Sequence, residues 1–115
     1  MSGENTVSIE DVDQIDAIGI DRAGEVVLTI SDHLPWADSA DSHLVLLQDK
    51  INTYLAFAES GELLGSYPEF EGRCVVISIV GRFPLAEQAC SFLAQAASVT
   101  EGAGVALRFQ QFSRV

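Results

Sequence analysis

A short segment of this chain holds the side chains best suited to chemistry. Asp32 and His33 follow an apolar run, and Trp36 comes three residues later. His43 then opens a long helical pattern. Imidazole and carboxylate groups can act as acids, bases or metal ligands, and an indole can form an apolar wall. If that helix crosses over to a parallel strand ending near Arg82, all of these groups lie at the carboxyl edge of the sheet, where open α/β sheets bind ligands. The candidate ligand-binding residues are therefore Asp32, His33, Trp36, His43 and Arg82.

A structural interpretation accounts for the same residues. Asp32 would cap a turn, one histidine would bind the loop backbone, and Trp36 would cover the core. The His-x9-His spacing is not that of a known metal site, and no HExxH motif, nucleophile elbow, P-loop, dinucleotide fingerprint or CxxC pair occurs. We favour this interpretation and assign no catalytic residue, no metal ligand and no cofactor.

The elements that position these residues follow from periodicity. Residues 15–21 and 25–31 predict a hairpin around Gly24. Leucines and isoleucines at helical spacing predict a helix over residues 41–60, which Gly61 ends. The β-branched run 73–80 predicts a buried strand. A second helix over 84–101 is expected to begin at Pro84, and a last strand covers 105–111.

This ββαβαβ order predicts an α+β fold, a two-layer sandwich in which a four-stranded mixed sheet carries two helices on one face. The larger side chains occupy alternate positions along the strands, so they lie on one face of the sheet, which should face the helices. The other face carries smaller residues, with a modest apolar patch of Val27, Val76 and Val80. Because such a patch is either exposed or covered by another copy, we expect that the protein can form a homodimer.

Some polar residues of the first helix suggest further contacts. Gln48 and Asn52 lie one turn apart and could form a polar seam for a ligand or a backbone contact, although we favour simple contact with solvent. Lys50 is expected on the solvated face. Glu59 and Glu62 flank the Gly61 helix stop, but carboxylates there oppose the helix dipole, which hints at a partner such as Arg73 or at a binding role.

Composition limits the class of protein. The 115 residues suit one domain, which we place at 14–115 after a flexible acidic lead-in at 1–13. The net charge of −11 argues against binding to nucleic acid or anionic membranes, and it fits either simple solvation or a basic protein partner. No secretory signal or membrane span is evident. Cys74 and Cys90 are expected to be buried free thiols, so we expect a cytoplasmic protein.

Several segments resemble one protein family. They are TISDHLPW, the block HLVLLQDKINTYLAFAESGELLGSYPEFEGR, the earlier IDAIGID and the later PLAEQACSFL. Together they resemble an uncharacterised bacterial family, domain of unknown function 6572, from about Ser8 to Phe109. The resemblance implies a bacterial cytoplasmic α/β protein and supplies no activity or catalytic residue.

Two functions remain open. The first is a non-enzymatic domain, which binds a basic protein partner through its acidic surface or open sheet face. The motivation is the charge of −11 together with the lack of a catalytic motif. The alternative is a domain that binds a small molecule or a metal, with or without enzymatic activity, at the carboxyl ends of the second and third strands.

Overall fold

The computed structural model describes residues 17–34, 36 and 40–111. Its elements, in chain order, are β1 (Ala17–Ile20), β2 (Val26–Asp32), α1 (Ala40–Glu59), α2 (Glu62–Ser66), a 3-10 helix (Pro68–Phe70), β3 (Val75–Gly81), α3 (Glu87–Gly102) and β4 (Val105–Gln111). The sheet has the order β1-β2-β3-β4. β1 is antiparallel to β2, whereas β2, β3 and β4 are parallel. This confirms the predicted four-stranded mixed sheet and its α+β class.

The hairpin between β1 and β2 is fixed by polar contacts. The Asp21 carboxylate accepts the backbone N–H groups of Ala23 and Glu25, each at 3.0 Å. Gly24 has a φ of 84°, which a side chain would strain. The Arg73 guanidinium donates to the Gly24 carbonyl at 2.9 Å. Arg73 thus binds the hairpin, and the suggestion that it pairs with the carboxylates at the end of α1 is wrong.

The core lies between the sheet and the helices. Alternate residues of β2 (Val26, Leu28 and Ile30) have no exposed surface, because they point at the helices. Leu47 and Tyr54 of α1 are equally buried. The Tyr54 hydroxyl donates to the carbonyl of Thr29, which ties the middle of α1 to β2.

Two helical features differ from the sequence prediction. α3 begins at Glu87 with Ala86 as its N-cap, so Pro84 lies in the connection before the helix. The segment after Gly61 is not a plain loop, because α2 and the 3-10 helix bury Leu63 and Phe70 in the core. Gly61, with a φ of 92°, separates α1 from α2 as a left-handed residue should.

Three burial predictions are wrong. Cys74 and Cys90 are both exposed, since Cys74 precedes β3 and Cys90 lies on the solvent side of α3. Lys50 is fully buried, because it shares with Leu47 and Tyr54 the side of α1 that faces the core. Its Nζ lies 5.7 Å from the centre of the Tyr54 ring, within reach of a cation–π contact.

The predicted lead-in at 1–13 lies outside the described residues. Within the part of the chain that the structure describes, no helix is both long enough and apolar enough to cross a lipid bilayer.

Candidate functional site

Asp32 ends β2 with its side chain inside the protein. It has the same parity as Leu28 and Ile30, so its carboxylate points toward the helices, and the residue is only 4% exposed. One carboxylate oxygen accepts the backbone N–H of Leu34 at 3.1 Å. Asp32 therefore shapes the chain immediately after β2.

His43, in the first turn of α1, meets this carboxylate. Its Nε2 lies 2.7 Å and 2.6 Å from the two oxygens of Asp32. The imidazole and the carboxylate are thus joined by a short hydrogen bond at Nε2. The Trp36 ring stacks on the imidazole, with the ring centres 3.5 Å apart and the planes inclined by 15°. We call Asp32, Trp36 and His43 the buried clasp.

The buried clasp joins three separate parts of the chain. It connects the end of β2, the following loop and the start of α1, all on the helix side of the sheet. A His–Asp pair is also part of many acid–base sites. Here, however, the side chains of His43 and Asp32 are only 1% and 2% exposed, so a substrate has almost no access to them. In this geometry the clasp holds the fold rather than offering a reactive group.

His33 and Arg82 lie elsewhere, at the carboxyl edge of the sheet. The parallel register pairs Asp32 of β2 with Gly81 of β3, so the residues that follow these two strands, His33 and Arg82, lie side by side. Both are exposed, and with Ser31 and Val80 they line a depression of about 200 Å³. The Arg82 backbone N–H donates to the Asp32 carbonyl at 2.9 Å. We call this depression the rim pocket.

The five candidate residues are thus divided between two places. Asp32, Trp36 and His43 form the buried clasp, whereas His33 and Arg82 line the rim pocket, to which Asp32 also contributes. Strand parity already separated Asp32 from Ser31, because Ile30 and Asp32 share one face of β2 and Ser31 lies on the other. Among the described residues, no group of three or more His, Cys, Asp or Glu side chains is placed to hold a metal ion.

The open sheet face differs from the expected apolar patch. Val76 is only 3% exposed, while Val27 and Val80 are half-buried. Val27, Val80 and Arg108 belong to the lining of a shallow depression of about 330 Å³. The Arg108 guanidinium lies 4.0 Å from the Asp21 carboxylate at its margin.

A feature that sequence analysis missed is the separation of charge between the two layers. We call residues 40–72 and 83–104 the helical layer. It contains eight carboxylate residues, all exposed: Asp41, Asp49, Glu59, Glu62, Glu69, Glu71, Glu87 and Glu101. Its single basic residue is Lys50, which is fully buried. The arginines of the described chain (Arg22, Arg73, Arg82 and Arg108) lie in the hairpin and at the sheet.

All exposed charged side chains of the helical layer are therefore carboxylates. Among the described residues, none of its carboxylates forms a salt bridge. The signal was present in the sequence, because assigning each Lys and Arg to a predicted element leaves only Lys50 on the helices. What the sequence analysis did not predict is that Lys50 is buried.

Comparison with known proteins gives one match. Neither the curated proteins nor the solved structures contain a significant match to the chain. The model of one family of unknown function, DUF6572, matches residues 7–113, which is nearly the whole sequence. The chain therefore belongs to the DUF6572 family, as its sequence resemblance indicated.

Proposed function

We propose that this protein is a non-enzymatic interaction domain that binds a basic protein partner through the helical layer. The observation that carries the proposal is that the helical layer exposes eight carboxylates, while its single Lys or Arg residue, Lys50, is buried. Such a surface repels itself, and a basic partner relieves that repulsion while being steered toward the same face.

The rest of the molecule fits a binding role better than a catalytic one. The His43–Asp32 pair, the combination most suggestive of catalysis, is enclosed in the buried clasp. If the protein forms a homodimer, we expect the second copy to pack on the open sheet face, because Val27 and Val80 lie half-buried there. The proposal places the protein in the bacterial cytoplasm, in keeping with the family resemblance and with two exposed free thiols.

Neutralising part of the helical layer tests the proposal. The partner is first captured from the source cells at low ionic strength, and its affinity is then measured by calorimetry. The variant Glu59→Gln, Glu62→Gln, Glu69→Gln, Glu71→Gln should bind roughly tenfold more weakly, because each exposed charge pair contributes ~0.2–1 kcal/mol. Affinity for the unaltered protein should fall as salt is added.

The matched control neutralises carboxylates that belong to the hairpin. Asp21→Asn with Glu25→Gln changes charge outside the helical layer and should leave the affinity within about twofold. The proposal fails if no basic protein is captured at low salt, or if the captured partner binds the neutralised helical layer as tightly as the original one.

A second candidate function is the binding of a small anion at the rim pocket. The favouring observation is that His33 and Arg82 lie side by side at the ends of two parallel strands, where both are exposed. A guanidinium recognises carboxylate and phosphate oxygens through paired N–H donors.

Phosphate titration followed by NMR tests this candidate. Inorganic phosphate should shift the amide resonances of His33 and Arg82, and Arg82→Ala should abolish the shifts. Arg22→Ala, which removes an exposed arginine from the hairpin, should leave them intact. Shifts spread over all the arginines would mean non-specific attraction and would exclude a rim site.

A further inference from the structure

The two long helices leave an apolar groove between them on the acidic side of the molecule. Its floor is made by Ile51 and Leu55 of α1 and by Phe92 and Ala96 of α3. Ile51 is buried, and the other three are half-buried. The volume is about 200 Å³, comparable with the ~150 Å³ cavity that binds benzene in another protein. The groove can therefore accept a large apolar side chain.

Uncharged amides form the rim of this groove. Gln48 and Asn52 line it from α1, and Gln95 lines it from α3. All three are exposed, and each amide can both donate and accept a hydrogen bond. From Gln48 to Leu55 the groove follows α1 for eight residues, a rise of about 10 Å. That length is about two helical turns, so the groove is long enough for two anchors one turn apart on a partner helix.

Carboxylates lie at both ends of the groove. Asp41 is two turns before Gln48 on the same side of α1, and it accepts a hydrogen bond at 3.3 Å from Gln88 of α3. Glu59 is one turn after Leu55 on that side. The apolar floor is thus enclosed by an uncharged rim with negative charge beyond it.

These features define one kind of occupant. We propose that the groove between α1 and α3 receives the apolar face of a basic amphipathic helix from the partner protein, with its Lys and Arg side chains against Asp41 and Glu59. The inference rests on the proposed function and adds to it a site and a partner class. An extended segment would find no strand edge between two helices, whereas a helix can insert side chains at i and i+4. A second copy would bring another acidic layer against this one.

Synthetic peptides test the groove directly. The probe is an 18-residue helix of Leu, Lys and Ala with its leucines on one face. A scrambled peptide of identical composition and a peptide with Glu in place of Lys serve as comparisons. We expect the basic amphipathic peptide to bind at least about tenfold more tightly than either comparison peptide. Loss of a central anchor weakens known interfaces by a similar factor. Its binding should shift the amide resonances of Leu55 and Ala96.

Two exposed positions supply a blocking variant and its control. Asn52→Trp places a large ring at the rim and should weaken binding of the probe at least about tenfold. Ala94→Trp adds the same ring to α3 at an exposed position outside the groove lining, and it should bind the probe normally. Circular dichroism confirms that both variants are folded.

The outcomes separate the groove from the proposed function. If the scrambled basic peptide binds as tightly as the amphipathic one and Asn52→Trp has no effect, the groove is excluded as the binding site. The acidic helical layer would then still bind basic partners. If no basic peptide binds even at low salt, both ideas fail. If the acidic amphipathic peptide binds as well as the basic one, or if the groove resonances shift with protein concentration alone, the basic helix is not the occupant.

Discussion

Replacing His43 with alanine is expected to destabilise the protein by about 3 kcal/mol. The substitution removes the partner of an Asp32 carboxylate that is only 4% exposed, and an uncompensated buried charge costs ~3–5 kcal/mol. It also removes the ring on which Trp36 stacks. The Leu34 N–H still binds Asp32, which places the loss at the lower end of that range. Urea unfolding should show the lower stability, and thermal unfolding a midpoint lower by about 10–20 °C.

His33 provides the matched control. It is the only other histidine, it is exposed, and it lies ten residues away in the sequence. His33→Ala should therefore cost less than about 1 kcal/mol. Equal losses for the two variants would contradict the buried clasp. A double-mutant cycle with Asp32→Asn should give a coupling energy of about 1–3 kcal/mol between His43 and Asp32.

This result also bears on function. If His43→Ala unfolds the protein at working temperature, loss of any activity in that variant is no evidence of catalysis. Stability therefore has to be measured before binding.

Tyr54→Ala is expected to cost about 4 kcal/mol. The side chain is completely buried in the core, and truncation of a large aromatic residue leaves a cavity. It also removes the hydrogen bond to the Thr29 carbonyl and the ring beneath the Lys50 ammonium. Chemical denaturation followed by circular dichroism measures the loss.

Tyr54→Phe separates the ring from the hydroxyl. Phenylalanine fills the same space and keeps the ring below Lys50, so this variant should lose only about 1 kcal/mol. Val45→Ala is a control on the exposed side of α1, where Val45 is 55% exposed, and it should change stability by less than about 0.5 kcal/mol. If Tyr54→Ala were as stable as Val45→Ala, α1 would not be seated on β2 as the structure shows.

Both predictions concern the way in which α1 is attached to β2. His43 and Tyr54 lie three turns apart on its inner side, and each makes a hydrogen bond to β2. The hydrophobic contribution to the packing of α1 on the sheet is non-directional. Directional hydrogen bonds at two points fix its position, and this position sets the geometry of the groove with α3.

Much of the fold was predictable because it depends on local pattern. The predicted β2 at 25–31 and the predicted first helix at 41–60 differ by one residue at each end from Val26–Asp32 and Ala40–Glu59. Strand alternation and helical periodicity are properties of residues close in sequence, so they can be recognised without knowing which elements pack together. The start of α3 was wrong because Pro84 suits the first helical turn but does not require a helix there.

The candidate site was only partly predictable. The sequence identified Asp32, Trp36 and His43, and it also joined to them His33 and Arg82, which lie in a different pocket. Sequence proximity does not show on which side of a sheet a side chain lies once a strand has ended. Similarly, Gln48 and Asn52 were visible as a polar seam, but only the packing of α3 beside α1 turns that seam into the rim of a groove.

The sequence by itself determined the ββαβαβ order of the strands and the two long helices, the α+β class and the net charge of −11, because periodicity and composition are local or additive quantities. Only the tertiary structure decided where that charge lies. Lys50 is buried because of the residues that pack around α1, and its burial leaves carboxylates as the only exposed charged side chains of the helical layer. Burial results from contacts between segments distant in sequence, which no local pattern specifies.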